Sequence, residues 1–295
     1  MAGAQWAGPR KYYYHDHTIR LNMSGEGRRA AVVLLSGGLD SSVTLAMAVD
    51  SGHEVHALTI DYGQRHQREL DAARAMARHY GVDHKVVRVD LSAFGGSALT
   101  DGTVAVPSDT PPEEIGSDIP PTYVPARNTV FIAMALAWAE ALDAHAVFIG
   151  ANAVDYSGYP DCRPEFIEAM QRVVDLGTRR GVEGDSVRIV APILRSSKAD
   201  IVRRGLELDV PFRHTWSCYR GRRQACGRCD SCQLRLRGFA DAGAVDPIEY
   251  EYGVDRPDRE AAASVNGGQV MMAELVEDDA LEEPSQGSNT PGGDA

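Results

Sequence analysis

Residues 30–42 read Ala30-Ala-Val-Val-Leu-Leu35-Ser36-Gly37-Gly38-Leu39-Asp40-Ser41-Ser42. Six apolar residues form a short buried β run, a serine and two glycines follow, and a helical pattern then continues to about Asp50. Glycines let backbone amides approach an anion closely and tolerate positive φ. Amides at a helix N-terminus, with the helix dipole behind them, bind phosphate, and Ser36, Ser41 and Ser42 add hydroxyl donors. Asp40 would repel a phosphate there unless a hard cation such as Mg²⁺ bridges the two. No Gly-Lys-Ser/Thr follows, so this is not a Walker A loop, nor is it a dinucleotide fingerprint. The plainer reading is a glycine turn with an aspartate near a helix start.

Outward from this loop, strand and helix patterns alternate. Glu54–Ile60 reads as a strand, and Gln67–Tyr80 as a helix with Leu70, Ala73, Ala77 and Tyr80 on one face. His84–Val89, Ala146–Ile149 and Val187–Val190 read as strands; Asn128–Leu142, Glu165–Leu176 and Lys198–Glu207 read as helices. That order predicts an α/β domain over residues 30–212, a doubly wound parallel sheet covered on both faces. Residues 91–126 break the rhythm with Gly95-Gly96, Pro107, Pro111-Pro112 and Pro120-Pro121. A connection that long in a compact domain is usually functional, and a lid is expected here.

The chain has 295 residues, 43% of them hydrophobic, with a formal net charge of −12. That composition excludes wholesale disorder. Residues 251–295 carry 11 acids against Arg256 and Arg259, which leaves 31 acids and 28 bases in residues 1–250. The acidity therefore belongs to a tail, expected to be disordered and dispensable for catalysis. The near-neutral body offers no broad surface for nucleic acid or membrane. The longest apolar run, Val130 to Ala139, is 10 residues, against the ~20 needed to span a bilayer. No secretory signal is visible, and a cytoplasmic protein is expected. Residues 1–29, with the run Tyr12 to His17, have no clear period and read as an N-terminal extension.

Four cysteines, Cys218-x7-Cys226-x2-Cys229-x2-Cys232, crowd into a segment read as a helical metal-binding subdomain, residues 213–250. Two-residue spacings let neighbouring thiolates share one cation, and four Cys make a closed structural Zn²⁺ site. An iron–sulfur run would need a further Cys followed by Pro, and none exists. Arg220, Arg222, Arg223, Arg228, Arg235 and Arg237 surround the cluster, opposed in the local sequence by Asp230, and read as a solvated basic face.

The strand–SGGLDSS–helix segment resembles the pyrophosphate-binding loop of the PP-loop ATP pyrophosphatases, of adenine nucleotide α-hydrolase-like fold. These enzymes cleave ATP between its α and β phosphates and adenylate a carboxylate or carbonyl oxygen. Further segments narrow the resemblance: Asp61-Tyr62-Gly63-Gln64-Arg65-His66, Tyr123-Val-Pro-Ala-Arg127-Asn128, the stretch Gly150 to Phe166, and Trp216-Ser-Cys218. In this order they resemble the 7-cyano-7-deazaguanine synthase family over residues 30–245. The resemblance implies ATP with Mg²⁺, 7-carboxy-7-deazaguanine and ammonia as substrates, one structural Zn²⁺, and a homodimer.

It also implies that Leu35 to Leu45 (Leu35, Ser36, Gly37, Gly38, Leu39, Asp40, Ser41, Ser42, Val43, Thr44 and Leu45) form the ATP site. Ser36, Asp40, Arg127 and Lys198 are the expected catalytic residues, Lys198 as a point charge on the phosphates. Asp61, Arg127 and Asp155 are read as following strands, at the edge where open sheets bind ligands. Asp161 and Glu165 are candidates for the base edge, Arg127 and Arg163 for the acidic group. Tyr156 and Tyr159 are candidates for stacking. Cys162 has no base at a recognisable spacing and reads as structural. The competing readings are a tRNA-thiolating or lysidine-type PP-loop enzyme, an amide-forming relative that modifies a protein, and a zinc-ribbon module with a degenerate nucleotide domain.

Overall fold

The computed structural model describes residues 29–112, 114–154 and 158–251. The N-terminal extension, the acidic tail, Asp155 and Tyr156 lie outside the described residues. Five strands, β1 (Ala30–Leu34), β2 (Glu54–Asp61), β3 (Asp83–Arg88), β4 (Ala146–Phe148) and β5 (Arg188–Val190), pair entirely in parallel. Their spatial order is β3-β2-β1-β4-β5. The chain therefore winds outward on one side of β1 and then crosses to the other. The crevice beyond the carboxyl ends of β1 and β4 is the switch point where such sheets bind ligands.

Both sheet faces are buried, as the apolar β runs require. Val32, Leu34, Leu58, Ile60, Val147 and Ile189 face α3 (Arg127–Ala141) and α4 (Pro164–Gly177), packing on Ile132, Ala135, Ile167 and Met170. The alternate residues Ala31, Val33, Leu35, Ala57 and Phe148 face α1 (Leu39–Asp50), α2 (Arg68–Tyr80) and α6 (Lys198–Glu207). This period-2 division is the pleat expressed in packing. A short helix, α5 (Arg179–Glu183), follows α4.

The last helix, α7 (Asp230–Asp241), packs on α6, and its Phe239 stacks edge-on against Phe212 at 5.2 Å in the α1/α6 core. Gly238 leaves room for the Lys198 side chain, which a Cβ there would meet at 2.2 Å. The cysteine segment is thus joined to the α/β core by shared apolar packing.

Two expectations change, for Arg127 and for the arginines around the cysteines. Arg127 does not follow a strand: it is the first residue of α3, preceded by Ala126 in the left-handed region at φ 55. In the long connection between β3 and α3, Ser97, Ala98 and Thr122 are buried. That connection is tied to the cysteine segment by Asp109–Arg228 at 2.8 Å and Thr110–Asp230 at 2.7 Å. Five of the six arginines have side-chain partners. Arg235 is buried and makes a bidentate pair with Asp246 at 2.7 and 2.9 Å. Arg222, Arg228 and Arg237 meet Glu251, Asp109 and Asp241, and Arg220 donates to Ser108. Asp109, Asp246 and Glu251 supply counter-charge from outside the stretch Arg220 to Arg237, and Asp241 supplies it from the next turn of α7.

Candidate active site and metal centre

One cavity opens at the switch point, lined by Ser36, Gly38, Leu39, Asp40 and Ser41 from the loop and Gly150 to Asn152 after β4. Tyr62, Gln64, Glu69, Arg127, Tyr159, Lys198 and Trp216 complete its walls. Two glycines set the loop's shape. Gly37 has φ 82, and a Cβ there would lie 2.3 Å from the Glu69 carbonyl oxygen, so the loop sits directly against the first turn of α2. Gly150 would meet the Ser41 amide nitrogen at 3.0 Å, which brings the end of β4 onto the loop.

The loop hydroxyls form a small network. Ser36 Oγ lies 2.9 Å from Ser41 Oγ, the Gly38 amide donates to Ser36 Oγ at 3.3 Å, and Ser41 Oγ donates to the Gly38 carbonyl. Ser42 Oγ is buried with no hydrogen-bond partner. The arrangement suits an anion at the amino end of α1. Lys198 Nζ donates to both Asp40 oxygens, so the carboxylate that would repel an anion is already neutralised. Val43 and Leu45 lie in the core and Thr44 Oγ1 donates to the Asp40 carbonyl.

At the other end of the cavity, Arg127 is half-buried, its guanidinium 5.9 Å from the ring centres of Tyr62 and Phe131. Burial opposes its charge, yet Tyr62, Tyr159, Asp161 and Cys162 outweigh that and hold its pKa above the ordinary value. Tyr159 donates to or accepts from Thr122 at 2.8 Å, with its ring on the cavity. Cys162 also lines the cavity; burial first and Asp161 second push its thiol up to about 12, which fits the structural reading.

Among the described residues, Asp61, Asp161, Arg163 and Glu165 do not line this cavity. Asp61 accepts from the Gly63 amide. Asp161 is buried and accepts from the Asn128 amide at 3.1 Å, fixing the start of α3. Arg163 and Glu165 are exposed at the start of α4. Sequence reading missed Tyr62, Gln64 and Glu69. Along β2 neighbouring side chains alternate faces, so the residue beside Asp61 was the one turned inward. For Glu69 the signal was an acid in the first turn of a helix at the sheet's carboxyl edge. Burial pushes its carboxyl up to about 7, with Arg127 opposing the shift and Cys218 adding to it.

The four cysteine sulfurs lie within 4.8 Å of one another, and all four residues are buried. Cys226 and Cys232 sulfurs are 3.9 Å apart, close to the separation of ~3.8 Å that four thiolates at 2.3 Å around one tetrahedral cation require. The donor set fits a closed metal centre, and Cys162 stands apart as the remaining thiol.

A parallel α/β sheet with a glycine–serine loop lining a cavity at its switch point, and beside it four clustered cysteines that could hold a metal ion, defines an α/β protein with its candidate ligand site beyond the carboxyl ends of the strands. Residues 30–243 match the family model described as queuosine biosynthesis protein QueC, and the chain belongs to that family. It is 56% identical over 224 residues to a protein of Thermoplasma acidophilum named 7-cyano-7-deazaguanine synthase, covering 76% of this chain and 93% of the relative. A protein of that name from Anaeromyxobacter dehalogenans is 59% identical over 231 residues, 77% of this chain and 97% of the relative. One from Thiobacillus denitrificans is 57% identical over 223 residues, 75% and 97% respectively.

Proposed function

We propose that this chain is an ATP-dependent carbon–nitrogen ligase that converts 7-carboxy-7-deazaguanine and ammonia into 7-cyano-7-deazaguanine for queuosine biosynthesis. The observation that carries the reading is a single cavity holding both an anion loop and a half-buried arginine, in a chain of this family. The loop amides with Ser36 and Ser41 hold the ATP phosphates. Arg127 pairs with the substrate carboxylate, and Tyr159 offers a ring for the base to lie against. A substrate carboxylate oxygen attacks the α-phosphorus and pyrophosphate leaves. Ammonia then attacks the acyl carbon, AMP departs with one substrate oxygen, and the amide results. The amide oxygen occupies the position of the lost oxygen and is adenylated in turn. Loss of AMP and the remaining N–H protons gives the nitrile, so one loop serves both rounds.

Asp40 would hold Mg²⁺, which when bound neutralises phosphate charge, while Lys198 turns from Asp40 to the phosphates. The four cysteines would hold a structural Zn²⁺. No helix among the described residues is long and apolar enough to cross a membrane, and the family resemblance supports a cytoplasmic homodimer with small-molecule rather than nucleic-acid partners.

The test is product analysis by mass in two incubations: acid, ATP, Mg²⁺ and ammonium in one; free 7-amido-7-deazaguanine, ATP and Mg²⁺ without ammonium in the other. Nitrile is expected from both. An inert amide, or a reaction of the acid that stops at the amide, overturns the single-site scheme.

A further inference from the structure

Ammonium is the prevailing form of ammonia near neutral pH, so an enzyme that uses it must first capture a small cation and then strip a proton. The loop and Arg127 are both suited to anions, and Asp40 is paired with Lys198 in the structure and would hold Mg²⁺ in the proposed complex. One acidic side chain of the cavity wall is left over. Glu69, in the first turn of α2, lines the cavity beside the loop, with its backbone carbonyl pressed against Gly37. The adjacent Arg68 is engaged elsewhere, its guanidinium 4.3 Å from the Trp216 ring centre and donating to the Arg223 carbonyl at 2.8 Å. The groups that act on the Glu69 charge are Arg127 from α3, Tyr62 from the end of β2 and Cys218 from the cysteine segment. Arg127 is the cation among them, and in the proposed reaction its guanidinium is taken up by the substrate carboxylate.

We propose that Glu69 is the ammonium-binding residue, holding the cation in the cavity between the anion loop and Arg127. The inference rests on the reading of the cavity as the site of nitrile synthesis and assigns the nitrogen donor a residue there. Bound ammonium gives one proton to the Glu69 carboxylate. The freed ammonia forms the C–N bond at the acyl carbon as the bond to the adenylate oxygen breaks, its electron pair leaving on AMP. The second proton leaves with the AMP phosphate to solvent. Burial keeps the carboxyl near 7, close to the range where it both ionises to bind a cation and accepts a proton.

The two half-reactions separate this role from a structural one, because only acid-to-amide conversion consumes ammonium. In Glu69→Gln the KM for ammonium at fixed pH should rise at least tenfold. Its loss in amide-to-nitrile turnover should be at least tenfold smaller than its loss in acid-to-amide turnover. Hydroxylamine, largely neutral at pH 7, should restore acyl transfer in the variant as a hydroxamate. Glu69→Asp keeps the charge but draws it back by one methylene, so it should raise the ammonium KM less than Glu69→Gln yet at least threefold, and it serves as the readout if Glu69→Gln does not fold. An unchanged ammonium KM in both variants, or equal losses in both half-reactions, overturns the assignment. Wild-type protein that makes neither amide nor nitrile overturns the underlying reading as well.

Discussion

Lys198 Nζ lies 2.7 and 2.9 Å from the two carboxylate oxygens of Asp40, bridging the first turn of α6 to the first turn of α1 across 158 positions of sequence. The pair is mostly enclosed, with 9% and 18% of the side chains exposed. Removing the cation leaves an uncompensated carboxylate facing the phosphate site. Lys198→Met should therefore lose adenylation, read as ATP–pyrophosphate exchange, by at least ~100-fold, or about 2.7 kcal/mol of barrier. Asp40→Asn should also lose turnover; it leaves the Lys198 charge uncompensated in turn, but the amide oxygen still accepts from Lys198 Nζ, so the fold should be kept. Comparable exchange in Lys198→Met and wild type would show that the pair is merely structural.

Gly37→Ala should be the most damaging single-atom change in the loop. The new Cβ would meet the Glu69 carbonyl oxygen at 2.3 Å and the Ala73 nitrogen at 2.5 Å, both backbone, at a φ of 82. Left-handed backbone alone costs a non-glycine residue about 1–2 kcal/mol, and the clash adds to it. A fall in Tm together with loss of ATP binding by calorimetry is expected. Gly52→Ala, also at positive φ but with open space around it, isolates the conformational part and should lower Tm without touching ATP affinity.

The fold was legible because its signals are local. The apolar β runs, the turn at Ser36 to Gly38 and the helical faces each lie within one short window, and helix boundaries agree within two residues. The anion loop and the cysteine spacing were legible for the same reason. The rest of the cavity was not, because it is assembled by packing between distant segments. Asp61 was chosen over its neighbour Tyr62, yet strand alternation turned Tyr62 inward. Asp161 accepts from the Asn128 amide 33 positions away, a pairing no local window shows. Arg235 was counted with the surface arginines, and only the fold brings Asp246 to it.

Glu69 also predicts a stability–pH relation. Its folded-state pKa, raised by burial to about 7, lies above the ordinary value of 4.5. Between those values the folded state binds more protons than the unfolded state, so this residue makes the protein less stable as pH rises from about 4.5 to 7. Glu69→Gln removes the contribution. Urea midpoints measured at pH 5 and pH 7.5 should therefore converge in the variant relative to wild type. An identical pH dependence in the two proteins would place Glu69 in bulk-like solvent.

The metal centre should support the cavity as well as the fold. Cys229 caps the amino end of α7 and Cys232 lies in its first turn; one turn further, Arg235 binds Asp246 and donates to the Phe212 carbonyl and to Thr215 at 2.7 Å. Thr215 precedes Trp216, whose amide donates to the Gly37 carbonyl at 2.9 Å. The thiolates, α7 and the anion loop are thus linked by consecutive hydrogen bonds and packing. A structural zinc site contributes folding free energy on the order of 10 kcal/mol, so Cys229→Ser should yield poorly folded or insoluble protein. Elemental analysis should give one Zn²⁺ per chain. Partial removal by chelator should lower Tm and ATP affinity in parallel, and both should return on adding Zn²⁺. Iron with a visible absorption band, or full ATP affinity in metal-free protein, would refute a structural zinc coupled to the loop.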